Sequence, residues 1–116
     1  MEIGFVLDSR DPKALAPFWA AALGYVVTGS VDNYVSLRPD GGDGPKLLIQ
    51  RVPEAKAGKN RMHLDIETPD IEATAAELVA QGGSRLGAEV YEEHGCCWIA
   101  MADPEGNEFC LCCHDQ

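Results

Sequence analysis

The chain has 116 residues, 46% of them hydrophobic and 24% charged, with a formal net charge of −10. That length and balance fit one soluble domain with its own core, and the acidity disfavours nucleic acid and anionic membrane, both of which attract basic surfaces. No apolar run nears the roughly 20 residues of a membrane span, and the start MEIGFVLDSRD has neither the basic segment nor the apolar core of a secretory leader, so a cytoplasmic location is expected.

Residues 2–8 alternate, with Ile3, Phe5 and Leu7 set against Glu2, Gly4, Val6 and Asp8, which predicts a strand with one apolar face. Asp11 can cap a helix that Pro12 opens, because proline at the first helical position gives up no needed hydrogen bond. Leu15, Phe18, Trp19 and Ala22 recur at helical spacing and should face a sheet, which puts Trp19 in the core. Pro17 inside this helix predicts a bend, and Gly24 ends it. Strands are expected near 25–29, 34–38 and 46–51, with the turn-rich PDGGDGP (39–45) before the last and a connector over 53–60.

The same plan then repeats. A strand is expected over 61–67 and a helix over 70–81 with Ile71, Ala75, Leu78 and Val79 on one face. Strands follow near 86–91, 96–102 and 107–113, the last two joined by ADPEGN. Asp11 and Asp70 lie 59 positions apart, as do Gly24 and Gly83. A duplicated strand–helix–three-strand unit implies an α+β fold, one domain over 1–116 made of modules at about 1–52 and 61–114, with function between the halves.

Five cysteines, Cys96, Cys97, Cys110, Cys112 and Cys113, crowd the C-terminal end. Their odd number and the missing leader favour reduced thiols. Strand alternation points Cys112 and Cys113 to opposite faces, and the spacing lacks the paired C-x2-C units of a zinc site, so small buried thiols filling a sheet are expected rather than a zinc knot. His94, in the turn-like EEHG, should face solvent, and His114 near the C-terminus should be inert. Tyr34, Ser36 and Arg38 share one strand face, where Arg38 is either a solvated surface group or a partner for an anionic ligand.

The run NRMHLDIETPDIEATAAELVAQGG, followed by WIAMADPEGNEFCL and preceded by DPKALAPFWAAALGY, resembles the glyoxalase/bleomycin-resistance/dioxygenase superfamily, also called vicinal oxygen chelate, and within it the glyoxalase-like subgroup. The resemblance spans nearly the whole chain. It implies two βαβββ modules forming a curved mixed sheet around a cup, often in a homodimer. In metal-dependent members it also implies four cup-facing side chains, typically His or Gln, Glu, His and Glu. The matching positions here are Gly4, Gln50, His63 and Cys110, with Glu108 on the face of Cys110.

One imidazole, one amide and one thiol are a poor set for a catalytic divalent ion, and both carboxylates that would supply a general base are gone. No cofactor is therefore expected; were a divalent metal to bind, His63 and Gln50 would be its donors. The expected function is metal-independent binding of a small organic ligand, of the bleomycin-resistance type, by Gln50, His63, Asp65, Trp98, Glu108 and Cys110. No catalytic residue is assigned. Two of these residues have a second reading: His63 as a structural histidine bonded to Asp65, and Trp98 as core rather than a flat wall for a planar ligand. Cys110 as a nucleophile would need a lowered pKa, which neighbouring carboxylates oppose. The alternative function is a metal-dependent lyase or dioxygenase using His63, Gln50 and Glu108 or Cys110; a third is an interaction module whose cup has filled with side chains.

Overall fold

The computed structural model describes residues 3–60 and 62–114, so the strand positions expected for Glu2 and Arg61 and the side chain of His114 lie outside what is described. The chain divides into two compact units, Met1–Lys56 and Ala57–Gln116. Together they hold two helices and two mixed sheets, an α+β architecture.

In the first unit, β1 (Gly4–Ser9) leads into α1 (Pro12–Leu23), then β2 (Tyr25–Val31), β3 (Tyr34–Pro39) and β4 (Lys46–Arg51). The sheet order is β1-β4-β3-β2, with β1 parallel to β4 and the other pairs antiparallel. The helix starts where the sequence dictates: the Asp11 carboxylate accepts from the Ala14 amide, and Pro12 fills the first helical position. Gly24 closes it in the left-handed conformation, φ 68°, that glycine adopts without strain. Leu15, Ala16, Phe18 and Trp19 bury one face of the helix, and Val35, Leu37, Leu47 and Ile49 bury one face of the sheet. Each large side chain so buried contributes about 2 kcal/mol. Ala22 is only half-buried, and α1 continues unbroken past an exposed Pro17.

The second unit repeats the order with β5 (Leu64–Glu67), α2 (Ile71–Ala80), β6 (Ser84–Arg85), β7 (Tyr91–Glu93), β8 (Cys96–Ala102) and β9 (Glu108–His114). Here β5 lies parallel to β9, β9 pairs β8, and both β6 and β7 pair β8. The strand expected at 86–91 is thus replaced by two short pieces on either side of it. Gly87 has φ 145° and Leu86 and Val90 are 49% and 41% exposed, so the middle of this edge leaves the ladder. Two other expectations are corrected. The strand foreseen from 61 begins at Leu64, and Val79 is 47% exposed, leaving Ile71, Ala75 and Leu78 as the buried stripe of α2.

Asp103 locks the β8–β9 turn. It is buried; its Oδ1 accepts from the Glu105 and Asn107 amides at 2.9 and 2.8 Å, and its Oδ2 accepts from Asn107 Nδ2 at 2.8 Å. The register that follows sets Cys97 opposite Cys113, and the two are joined in a disulfide with Cα atoms 5.4 Å apart. Reduced thiols were expected throughout; that holds for Cys96, Cys110 and Cys112 and is corrected for this pair, whose alignment depends on register rather than spacing.

Candidate functional site

On the second unit's sheet, Ile99, Met101, Phe109 and Leu111 are at most 1% exposed and form the buried face. Because strand neighbours alternate, Trp98, Ala100, Cys110, Cys112 and Asp65 belong to the opposite face. Register arranges these in two rows: Asp65–Cys110–Ala100, and Glu67–Cys112–Trp98–Tyr91. Trp98 is therefore not part of the helix-covered core. Its ring is half-buried and stacks on Tyr91, centroids 5.6 Å apart and planes 20° from parallel. Tyr91 is a component that sequence reasoning missed, since only the register of β7 brings it beside Trp98.

His63, just ahead of β5, places Nε2 3.1 Å from Asp65 Oδ1, both side chains being half or more exposed. Cys110 joins them: the donor atoms of His63, Asp65 and Cys110 all lie within 4.8 Å of one another. Burial raises the Cys110 pKa, the Asp65 and Glu108 charges raise it further, and Lys59 opposes them. Cys112 is pushed up to about 11, first by burial and then by Asp65, Cys110, Cys96 and Glu67. Both are neutral thiols at physiological pH, able to donate weak hydrogen bonds but poor nucleophiles.

Glu108 stands apart from that trio. Its carboxylate pairs with Lys59 Nζ, and its backbone carbonyl accepts from Asn60 Nδ2 at 3.2 Å. Gln50 belongs to the first unit, where its Nε2 donates to Asp8 Oδ1 at 2.9 Å. His94 is 90% exposed beside Glu93, as expected of a turn.

The two sheets can be matched position by position. In the first unit Val6 pairs with Leu48 and Asp8 with Gln50; in the second Asp65 pairs with Cys110 and Glu67 with Cys112. The 59-residue offset matches Val6 to Asp65 and Asp8 to Glu67, so through their strand partners Leu48 holds the place of Cys110 and Gln50 that of Cys112. Gly4 corresponds to His63 and has no donor, although a Cβ there would meet nothing closer than the Lys46 carbonyl at 3.8 Å. The metal set implied by the resemblance therefore does not fit these residues: one position is glycine, its partner strand offers leucine at the register-matched place, and the nearby amide is held by Asp8.

This arrangement of strands and helices is the glyoxalase/bleomycin-resistance fold. The chain matches the glyoxalase-like domain family over residues 4–112 and belongs to that family. Its backbone is similar to a glyoxalase/bleomycin resistance protein/dioxygenase family enzyme from Burkholderia phytofirmans PsJN, with TM-score 0.81, 14% identity, and 98% of this chain and 99% of that one covered. It is also similar to a glyoxalase-related enzyme from Fulvimarina pelagi (TM-score 0.78, 18% identity, 98% and 88% covered) and to hypothetical protein SA1046 from S. aureus (TM-score 0.76, 14% identity, 97% and 93% covered). At these identities the likeness establishes the fold alone. No curated protein matches the chain. Among the described residues, no helix is long and apolar enough to cross a membrane.

Proposed function

We propose that this glyoxalase-like protein binds a small organic molecule without a catalytic metal, in the manner of bleomycin-resistance-type proteins. The supporting observation is the uneven endowment of the two sheets. One carries His63, Asp65 and Cys110 together with the stacked Tyr91 and Trp98, while the matching places of the other hold Gly4, Val6 and Leu48. An imidazole–carboxylate pair beside a flat aromatic wall supplies orientation and apolar area, the combination small-ligand sites use. A cytoplasmic homodimer is the form we propose.

A thermal-shift screen against metabolites and antibiotics, with and without divalent metals, tests this. An organic ligand should raise the melting temperature, His63→Ala should weaken that response, and metals alone should do nothing. A metal-only shift abolished by His63→Ala would reverse the ordering. The second reading, a metal-dependent lyase or dioxygenase, draws support from the close approach of His63, Asp65 and Cys110. Stoichiometric metal in protein purified without chelators would favour it. A micromolar sample that sediments as a monomer would remove the dimer from the proposal.

A further inference from the structure

We infer that the first unit holds a second binding site, for the carboxylate of a small and otherwise apolar organic acid, between Arg38 and Lys46. This goes beyond the function proposed above, since no residue of the His63–Trp98 face enters it. The site is a cavity of about 680 Å³ at one end of the first sheet, within the range of small-ligand pockets.

Its cationic character is unusual for this chain. Only 9 of 116 residues are Lys or Arg against 19 Asp or Glu, yet Arg38 and Lys46 line the same cavity. They flank the Leu37–Leu47 pair on adjacent strands, each one residue beyond it, so they are neighbours across the ladder. Lys46 also pairs with Gly4 on β1, where the missing side chain leaves the floor open. Neither cation has a hydrogen-bond or ion-pair partner among the described residues, in contrast to Lys59 and Arg85, which pair with Glu108 and Glu72.

The opposite wall is fixed in advance. The loop after β3 folds back so that a Cβ on Gly44 would lie 2.8 Å from Pro39 Cγ, a separation only glycine permits without a shift. The Tyr25 hydroxyl donates to the Pro45 carbonyl at 2.8 Å and pins the next residue. A wall already held costs less ordering when a ligand arrives.

The lining also sets the ligand class. Asp43 shares the cavity, so two positive charges are offset by one negative, which suits a monoanion better than a doubly charged phosphate. Ile3, 72% exposed, lines it with Phe5 and Pro45 and offers apolar surface to the rest of the molecule. An arginine and a lysine side by side can hold a carboxylate by charge-assisted hydrogen bonds.

Titration of the full chain with benzoate and phenylacetate, followed by backbone amide NMR and calorimetry, tests the assignment. Both should bind saturably, with the largest shifts in residues 38–46, and benzamide and inorganic phosphate should bind more weakly. Arg38→Gln and Lys46→Gln should each weaken benzoate about tenfold. Lys13→Gln, on the exposed side of α1, should change nothing and controls for overall charge. Circular dichroism of the variants separates loss of binding from loss of fold. Equal binding of benzamide, tighter binding of phosphate, or indifference to both Gln substitutions would overturn the proposal. Shifts confined to His63, Cys110 and Trp98 would overturn it too, while leaving the proposed function intact.

Discussion

The two units share one backbone plan and differ where chemistry could be done. Val6 beside Leu48 in the first unit corresponds to Asp65 beside Cys110 in the second, and Gly4 corresponds to His63. Strand order and the parallel pairing of first and last strands are common to both. At these places the second sheet carries polar and sulfur groups, while the first keeps an apolar pair and a glycine. The βαβββ frame tolerates either, because Gly4, Val6, His63 and Asp65 are exposed and Leu48 and Cys110 only half-buried, so none of them builds the core. Fold and site are thus separately specified.

The sharpest way to break the comparison is at the turns joining the last two strands of each unit. Asp103→Ala should cost about 3 kcal/mol, since two amides and a carboxamide lose a charged acceptor in a buried place. Asp40→Ala, in the exposed turn of the first unit, should stay within about 0.5 kcal/mol. Urea denaturation of both variants measures the contrast, and equal losses would show the turns to be held alike. Gly44→Ala should fall between them, at about 1 kcal/mol, because the new methyl must displace the Pro39 ring.

The thiols give a smaller, pH-dependent contrast. Raised native pKa values mean that Cys110 and Cys112 favour the folded state fully below the ordinary thiol pKa near 9. That contribution is lost as pH rises through 9 toward the Cys112 value of about 11. Denaturation midpoints should therefore decline over that window, less so in Cys112→Ser. Asp65→Asn removes a charge that raises both thiols, so alkylation of Cys110 by iodoacetamide at pH 8, followed by mass spectrometry, should speed up severalfold. Slower alkylation would mean that Asp65 does not act on the thiol through charge.

Much of the frame was legible because it rests on local rules. Alternation marked β1, Asp11 and Asp70 marked both helix starts, and Gly24 marked a helix end. The failures share one cause. A strand is expected near 86–91 from the repeated plan, but an edge strand exists only where its neighbour holds it, and Gly87 lets the chain leave β8. The Cys97–Cys113 bond and the Tyr91–Trp98 stack likewise depend on which residues stand opposite. Gln50 looked like the counterpart of Cys110 because a slip of two residues keeps a side chain on the same face, so alternation cannot detect it. Register alone shows that Leu48 holds that place.

The smallest expected effect decides between the two readings of His63. Its contact with Asp65 joins side chains that are 50% and 60% exposed, and such pairs contribute under about 0.5 kcal/mol. His63→Gln should therefore leave urea stability nearly unchanged. Gly4→His should be equally silent: Gly4 is exposed and outside the left-handed region, and the nearest atom to a new Cβ is 3.8 Å away. Two silent substitutions at matched places would mean that folding selects neither glycine nor histidine there, leaving ligand chemistry as the reason for the difference. A loss above about 1 kcal/mol from His63→Gln alone would instead make the imidazole structural, since an exposed pair of this kind cannot account for so much.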